Sequence, residues 1–369
     1  MAKLSFLFCI LALHRILLVP SSCSGHLRQP ETPVPFFIFG DSILDPGNNN
    51  YINTTTQHQA NFWPYGETFF EYSTGRCSDG RLISDFIAKY AKLPMIPPYL
   101  QPGVQFNYGA NFASAGAGAL VETYQGEVID LKTQLKYFEE METSLRHKLG
   151  DAETKKFLSR AVYLFSIGNN DYMSPFSTVS SMQETSQKEL VGRVIGNLTA
   201  VIKEIHDRGG RKFAFLNMGP LGCLPGMRAL APGRKGGCLK DASHLAKLHN
   251  AAFSQLLLKL ESQLDGFKYS NINLYSYISQ IMEHPTNYGF KEGITACCGS
   301  GPFRGIYSCG GRRGVKRYEL CDKVSEYVWW DSFHPSERVY QLIAEQMWNG
   351  NPNVVEPYSL KSLFEWVEV

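Results

Sequence analysis

The sequence predicts an α/β fold built on a parallel β-sheet, because short apolar runs alternate with segments of helical periodicity. Runs of branched and aromatic residues bounded by turn-forming residues predict strands at 36–39, 161–167, 212–216 and 272–275. Between the second and third of these, apolar residues recur at helical spacing at Leu190, Val194, Leu198, Val201 and Ile205. Strands that alternate with helices in this way form a parallel sheet covered on both faces.

Helix boundaries follow from the residues that cannot continue a helix. A first helix is expected at about 82–91 and ends before Pro94, because proline disfavours helical backbone in the preceding residue. The helix through Ile205 ends at the Gly209-Gly210 pair. A third helix is expected at 242–264, and a last one presents an apolar stripe made of Val339, Leu342, Ile343 and Met347.

The chain between the first strand and the first helix, at 48–81, is rich in Asn, Thr, Gly and aromatic residues and predicts an irregular loop. The stretch 107–118 is crowded with Gly and Ala. Such small residues let backbone approach a ligand, or serve close packing.

The first strand ends at the polar triplet Gly40-Asp41-Ser42. Ligands of parallel α/β sheets bind at the carboxyl ends of the strands, so a serine at this position is placed for chemistry. The alternative is that Ser42 caps a following helix. The strand at 161–167 delivers Gly168-Asn169-Asn170-Asp171 to the same edge, and this motif alone could be a turn or a helix cap.

Near the other end of the chain, Asp331 and His334 are three residues apart and Pro335 follows. Pro335 can be the first residue of a helix, which predicts that His334 lies at or near the N-cap. Over one such turn the Asp331 carboxylate can reach imidazole Nδ1 and leave Nε2 facing outward. This is the base half of a Ser-His-Asp triad, in which chain order is not fixed, although a lone His-Pro could also be a cap.

In this order, the three motifs at 40–42, 168–171 and 331–335 resemble those of the GDSL esterase/lipase family, also called SGNH hydrolases. The stretches at 45–50, 111–118 and 296–299 are similar to its secreted plant branch. The resemblance covers nearly the whole chain after the N-terminal segment. It implies a flavodoxin-like three-layer α/β/α sandwich, and we expect one hydrolase domain over 26–369.

The resemblance also implies roles for individual residues. Ser42 would be the nucleophile, His334 the base and Asp331 its orienting carboxylate. The oxyanion hole would consist of the backbone N–H of Ser42, a backbone N–H at Ala115 or Gly116, and the side-chain amide of Asn170.

Two features depart from the family pattern. Ile43 replaces the name-giving Leu, an apolar exchange of similar volume. In the second block of the family, the glycine position could align with either Ala115 or Gly116. No metal-ligating, phosphate-binding or dinucleotide-binding motif is found, so neither a metal nor an organic cofactor is expected.

The first 25 residues predict a secretory signal peptide, since Lys3 precedes an apolar run from 4 to 19 and small residues follow at 21–25. A membrane anchor is the alternative, but the run is short and interrupted by Arg15. Without this segment the basic and acidic residues balance. Balanced charge gives no support for nucleic-acid or acidic-membrane partners. From the signal peptide we expect a secreted, extracellular protein, and the resemblance to the secreted plant branch implies the apoplast or cell wall.

Seven of the nine cysteines lie after this segment, and secretion favours disulfides. Cys223 and Cys238 flank a Gly/Pro/Arg-rich loop and could bridge it. Four further cysteines allow three pairings, and each of the adjacent first two is expected to bond to one of the last two: Cys297, Cys298, Cys309 and Cys321. Cys77 is left over, and is expected to be buried or unpaired.

Two Asn-x-Ser/Thr sequons, at Asn53 and Asn197, are compatible with glycosylation in a secreted protein. The second lies on a predicted helix, so its use requires that it face solvent.

Two features of the sequence bear on the substrate. The loop after Ser42 holds aromatic residues that could line an acyl cleft or belong to the core: Phe62, Trp63, Tyr65, Phe69, Phe70 and Tyr72. The family likeness implies esters of lipids or small acyl groups, and the run at 110–120 is similar to defence-associated secreted plant members. An acyltransferase, a carbohydrate acetylesterase and a non-catalytic binding protein on the same fold are the alternatives.

Overall fold

The computed structural model describes residues 33–231 and 236–366, so the predicted signal peptide at 1–25 lies outside the described residues. Ten strands are present in the described part: β1 (Phe36–Gly40), β2 (Gly109–Asn111), β3 (Val162–Ser166), β4 (Lys212–Leu216), β5 (Lys268–Ile272), β6 (Glu292–Ala296), β7 (Cys298–Gly299), β8 (Glu319–Leu320), β9 (Tyr327–Trp329) and β10 (Val355–Pro357). Six of them form the central sheet in the order β2-β1-β3-β4-β5-β10.

Strands β1 to β5 run parallel, and β10 joins the β5 edge antiparallel. The carboxyl ends of the five parallel strands therefore meet at one edge of the sheet. The smaller pairs are β6 with β9 and β7 with β8. This order, with a mostly parallel sheet between helices, agrees with the predicted α/β sandwich.

The sheet is covered by α-helices, which are α1 (Ile83–Tyr90), α2 (Leu131–Leu149), α3 (Asp151–Arg160), α4 (Asn169–Met173), α5 (Glu184–Asp207), α6 (Pro225–Leu230), α7 (Lys240–Gln263), α8 (Leu274–Glu283), α9 (Glu337–Asn349) and α10 (Leu360–Glu365). Short 3₁₀ helices lie at Asn48–Tyr51, Thr56–His58, Ser174–Ser177, Leu221–Cys223, Pro285–Tyr288, Pro302–Arg304, Cys309–Gly311 and Val324–Glu326.

Strand β1 is buried along its whole length, which explains why its sequence is a continuous apolar run rather than an alternation. On one face, the Phe39 ring stacks on Phe165 of β3 at 4.9 Å and on Phe112 at 5.0 Å between ring centroids. Helix α2 holds the end of the strand through buried Gln134, whose Oε1 accepts the Gly40 N–H and whose Nε2 donates to the Gly40 carbonyl, both at 2.9 Å. Both backbone polar groups of Gly40, the residue before Asp41 and Ser42, are thus fixed by hydrogen bonds to one side chain.

The predicted strand at 272–275 is wrong in position. Strand β5 ends at Ile272, and helix α8 begins at Leu274. The reason is that Asn273 caps this helix, with its side-chain oxygen accepting the Ser276 N–H at 3.1 Å. Residues 268–271 precede Ile272. Their apolar and polar side chains follow no regular pattern, but they pair in register with β4.

Helix α9 buries three residues of the predicted stripe, Val339, Ile343 and Met347, while Leu342 is half-buried, and the helix does not begin at Pro335. Its first residue is Glu337, because the preceding backbone is extended: Pro335 bridges to Trp329, and the Ser336 N–H donates to the Val328 carbonyl at 3.0 Å. His334 is therefore on a loop, two residues before the N-cap. No element was predicted for 353–369, where the structure has β10 and α10.

The predicted disulfide arrangement is confirmed. Cys223 is bonded to Cys238, and the adjacent pair divides between the later two cysteines, as Cys297–Cys321 and Cys298–Cys309. Cys77 is buried and unbonded. Both sequon asparagines are exposed, but the Asn197 side-chain nitrogen donates to the Ala119 carbonyl at 2.9 Å, so it is engaged within the fold.

Candidate active site

Three residues from opposite ends of the chain form a hydrogen-bonded series at the carboxyl edge of the sheet. His334 Nε2 lies 2.8 Å from Ser42 Oγ, and His334 Nδ1 lies 2.8 Å from Asp331 Oδ1. Asp331 and His334 are buried, whereas Ser42 is half-buried and lines an open cleft. The imidazole thus links the Ser42 hydroxyl, which is accessible to substrate, to the Asp331 carboxylate, which is buried from solvent.

The orientation of His334 follows from a tight turn centred on Asp331. Oδ1 of Asp331 accepts the backbone N–H groups of Phe333 and His334, each at 2.9 Å, in addition to the imidazole. Burial alone would raise the pKa of Asp331, but His334 and these hydrogen bonds hold it below its usual value. The carboxylate therefore stays ionised and keeps the Nδ1 proton facing it.

Two residues that no sequence motif marks support the other oxygen of this carboxylate. The Tyr65 hydroxyl donates to Asp331 Oδ2 at 2.7 Å, and Arg313 Nη1 donates to the Tyr65 oxygen at 3.0 Å. Both side chains are almost fully buried. Burial raises the pKa of the Tyr65 phenol well above its usual value, so it remains a donor.

Arg313 connects Tyr65, and through it Asp331, to the disulfide-bonded region. Its guanidinium donates to the carbonyls of Cys309 and Gln59, at 3.1 and 2.8 Å, and lies 3.7 Å from the centre of the Tyr307 ring. Cys309 is held in turn by its disulfide to Cys298. No spacing in the sequence marks Tyr65 or Arg313, because they meet Asp331 only through the tertiary fold.

The turn after β1 is joined to the motif after β3. Buried Asp41 accepts the Ile43 N–H with Oδ1 at 3.1 Å and the Asn169 amide with Oδ2 at 2.8 Å. Burial raises the pKa of Asp41 to about 6. The first asparagine of the Asn-Asn pair, Asn169, therefore positions the serine turn, and both Asn169 and Asn170 line the cleft.

The ambiguity between Ala115 and Gly116 is reduced by the hydrogen bonds of Asp45. Its Oδ2 accepts the Ala115 N–H at 2.8 Å, so this donor is already engaged. Within the part of the chain that the structure describes, the backbone N–H groups of Gly116 and Ser42 have no hydrogen-bond partner. Gly116 has a φ of 87°, and a side chain there would collide with His58, so glycine is required.

The glycine-rich loop at 113–120 is fixed by side chains on both sides. Asp171 accepts the backbone N–H groups of Ala119 and Leu120, at 2.8 and 3.1 Å. Asn170 Nδ2 donates to the Ala117 carbonyl at 2.9 Å, which leaves its second amide hydrogen free to bind elsewhere. The asparagines after the serine motif are also structural, because Asn49 donates to the carbonyls of Ala115 and His58.

The cleft beside Ser42 has a volume of about 510 Å³. One wall is apolar and comes from the segments after β4 and β5, namely Leu221, Leu224, Met227, Leu230, Leu274 and Ile278. The aromatic residues at 62–72 could line the cleft or belong to the core by sequence alone, and in the structure none of them lines the cleft. Phe69 and Phe70 instead lie against the guanidinium groups of Arg81 and Arg76, at 4.0 and 4.9 Å.

The fold and this geometry define a class of protein: an α/β sandwich with a serine, a histidine and an aspartate hydrogen-bonded in series at the carboxyl edge of a parallel sheet. The sequence model of the GDSL-like Lipase/Acylhydrolase family matches residues 36–347. The chain belongs to this family.

Curated relatives extend over nearly the whole chain. It is 51% identical to GDSL esterase/lipase 5 of Arabidopsis thaliana, over 98% of this chain and 95% of the relative. It is 49% identical to a GDSL lipase of Tanacetum cinerariifolium, over 94% and 91%. A more distant relative, at 34% identity over 96% and 80%, is the Inactive GDSL esterase/lipase-like protein 25 of Arabidopsis thaliana. Across the described residues, no helix has the length and apolar character needed to cross a membrane.

Replacing Tyr65 with Phe tests whether the support of Asp331 matters for turnover. The change leaves Asp331 Oδ2 and Arg313 Nη1 without their shared hydroxyl, and a hydrogen bond to a charged group is worth about 1.5–3 kcal/mol. We expect kcat for ester hydrolysis to fall about 10- to 100-fold with little change in KM, measured by steady-state kinetics on a p-nitrophenyl ester.

The matched control is Tyr72→Phe, because Tyr72 is in the same loop but is 65% exposed. A Tyr65→Phe enzyme with the melting temperature and kcat of wild type would show that the phenol does not contribute.

Proposed function

We propose that the protein is a secreted serine esterase or lipase that hydrolyses carboxylic esters through a Ser42-His334-Asp331 triad and an acyl-enzyme. Membership of the GDSL family makes the chain a carboxylic ester hydrolase. The observation that carries the assignment of the residues is the position of His334, which bonds Ser42 through one nitrogen and buried Asp331 through the other.

In the first step, Ser42 Oγ attacks the ester carbonyl carbon while His334 Nε2 takes the hydroxyl proton. The distance of 2.8 Å between these atoms is within reach for direct proton transfer. Asp331 holds the required tautomer and stabilises the imidazolium that forms. General-base assistance of this kind contributes about 10² to 10⁴ in rate.

The negative charge on the carbonyl oxygen is stabilised by the Ser42 N–H, the Gly116 N–H and the second amide hydrogen of Asn170. We choose Gly116 over Ala115 because the Ala115 N–H is bonded to Asp45. An amide suits the position of Asn170 because it donates without carrying a charge. The Ala117 carbonyl fixes the orientation of this amide before substrate binds.

When the tetrahedral intermediate collapses, the bond from carbon to the alcohol oxygen breaks and the imidazolium gives its proton to the leaving alcohol. An ester of Ser42 remains. His334 then takes a proton from water as the water oxygen attacks this ester, and returns it to Ser42 Oγ as the carboxylic acid leaves. The cycle consumes one water and needs no other reactant.

The apolar wall of the cleft favours acyl chains over acetyl groups alone, since burying an apolar chain against it is favourable.

We also propose that the protein is secreted. Secretion is supported by the predicted signal peptide at 1–25 and by three disulfides, which persist in oxidising compartments. A role in plant defence or lipid metabolism is proposed from the likeness of 110–120 to defence-associated members. Unchanged susceptibility to pathogens on gene loss would count against defence.

The function is tested by expressing the disulfide-bonded mature chain and measuring turnover of p-nitrophenyl esters from acetate to palmitate. We expect hydrolysis that increases beyond acetate, and a loss of about 10⁴-fold or more in folded Ser42→Ala. Turnover that survives in Ser42→Ala would exclude the serine mechanism. Absence of turnover in folded wild type would favour an acyltransferase or a binding protein, which an assay with added glycerol separates.

The oxyanion assignment predicts the effect of changing Asn170. Loss of one such donor costs about 10² to 10³ in kcat, so Asn170→Ala should show a decrease of this size without a matching rise in KM. Asn170→Asp keeps the size of the side chain but replaces donors with acceptors, and it should be at least as impaired. Near-normal kcat in Asn170→Asp would remove this residue from the oxyanion hole.

A further inference from the structure

The order of the strands divides the cleft into two arms. Ser42 follows β1, with β2 on one side and β3, β4 and β5 on the other. On the β4 and β5 side the lining is the apolar wall described above, here called the apolar arm. On the β2 side the lining is polar, and four residues form what we call the polar arm: Gln57, His58, Tyr124 and Glu127.

The polar arm is attached to the loop that carries Gly116. Asn49 donates to the carbonyls of both His58 and Ala115, at 2.7 and 2.8 Å, so the two segments are held together. Tyr124 and Glu127 follow directly after this loop, and the ring centroids of His58 and Tyr124 are 4.6 Å apart. The polar arm therefore lies next to the proposed oxyanion hole.

The protonation state of His58 determines which hydrogen-bonding groups the polar arm presents to a ligand. His58 Nε2 is 3.1 Å from Glu127 Oε2, and burial lowers the pKa of His58 in spite of this carboxylate. The neutral imidazole donates from Nε2 to Glu127, which leaves Nδ1 as a hydrogen-bond acceptor. Nδ1 is the His58 atom closest to the position that a side chain on Gly116 would occupy, so it lies beside the residue that supplies the proposed oxyanion donor.

The charge of the cleft restricts the ligand further. Among the described residues that line it, none is Lys or Arg, whereas Glu127 contributes a carboxylate that is 47% exposed. A phosphate or carboxylate group would find no cationic partner there and would be repelled by Glu127. Hydroxyl groups suit it, because they can donate to His58 Nδ1 and to the Glu127 carboxylate.

We propose that the polar arm is a binding site for the alcohol part of the ester, and that the enzyme takes neutral acyl esters of polyhydroxyl alcohols such as glycerol. The acyl chain lies in the apolar arm, the ester carbonyl at Ser42, and a free hydroxyl of the alcohol donates to His58 Nδ1. This inference rests on the proposed function, since it uses the same cleft and the same reaction.

The test compares three esters of one acyl chain: 1-monodecanoylglycerol, methyl decanoate and 1-decanoyl-glycerol 3-phosphate. For wild type we expect kcat/KM to be at least about tenfold higher for the glycerol ester than for methyl decanoate, since a site that binds a hydroxyl discriminates against analogues that lack it. The phosphate ester keeps a hydroxyl but brings a negative charge beside the Glu127 carboxylate, so its kcat/KM should also be lower than that of the glycerol ester. His58→Leu should lower the ratio of glycerol to methyl ester about tenfold. His58→Asn, which keeps an acceptor near the position of Nδ1, should restore part of it.

The matched control is Glu122→Gln, a charge change in the same segment on a residue that pairs with Arg193 outside the cleft. Its ratio should equal that of wild type. A wild-type ratio near one, or a preference for the phosphate ester, would overturn the inference while leaving ester hydrolysis intact. Failure to hydrolyse any ester, p-nitrophenyl esters included, would instead overturn the proposed function, and the inference with it.

Discussion

The arrangement depends first on one buried carboxylate, Asp331. It has no contact with solvent, yet its oxygens accept four hydrogen bonds, from the Phe333 and His334 backbone, the His334 ring and the Tyr65 hydroxyl. An ionised group this deep is tolerated only when its lone pairs are satisfied and a compensating charge is near, and Arg313 supplies that charge through Tyr65. The same contacts that make burial possible therefore orient the histidine, and they join the loop at 48–81, the disulfide-bonded region and the loop before α9 at a single point.

Three other buried carboxylates hold the backbone segments around the proposed oxyanion hole. Asp41 joins the turn after β1 to Asn169 after β3, while Asp45 and Asp171 hold the glycine-rich loop by its backbone N–H groups. These donors are engaged, whereas the Gly116 N–H has no partner among the described residues, and we therefore propose it as the donor beside Ser42 and Asn170. Preorganised donors of this kind need no rearrangement when charge develops, which is the physical basis of oxyanion stabilisation.

Much of this arrangement could be predicted from the sequence, because it depends on residues that are close to one another along the chain. The central strand β1 is buried along its whole length and appears as an uninterrupted apolar run, and Asp331 reaches His334 within one turn. Features that depend on distant partners could not be found this way. Tyr65 and Arg313 are separated by 248 residues and carry no spacing signal. The start of α9 was misplaced because a bridge from Trp329 to Pro335 keeps that backbone extended, against the preference of proline for a first helical turn.

The central claim is that His334 activates Ser42 as a nucleophile, and covalent labelling tests it most directly. The folded mature protein would be treated with an alkyl fluorophosphonate, which phosphonylates activated serines with loss of fluoride, and digested for peptide mass spectrometry. We expect one adduct, on the peptide that contains Ser42, and a large decrease in its rate of formation in His334→Gln. Labelling of a different serine, or equal labelling of Ser42 in His334→Gln, would contradict it.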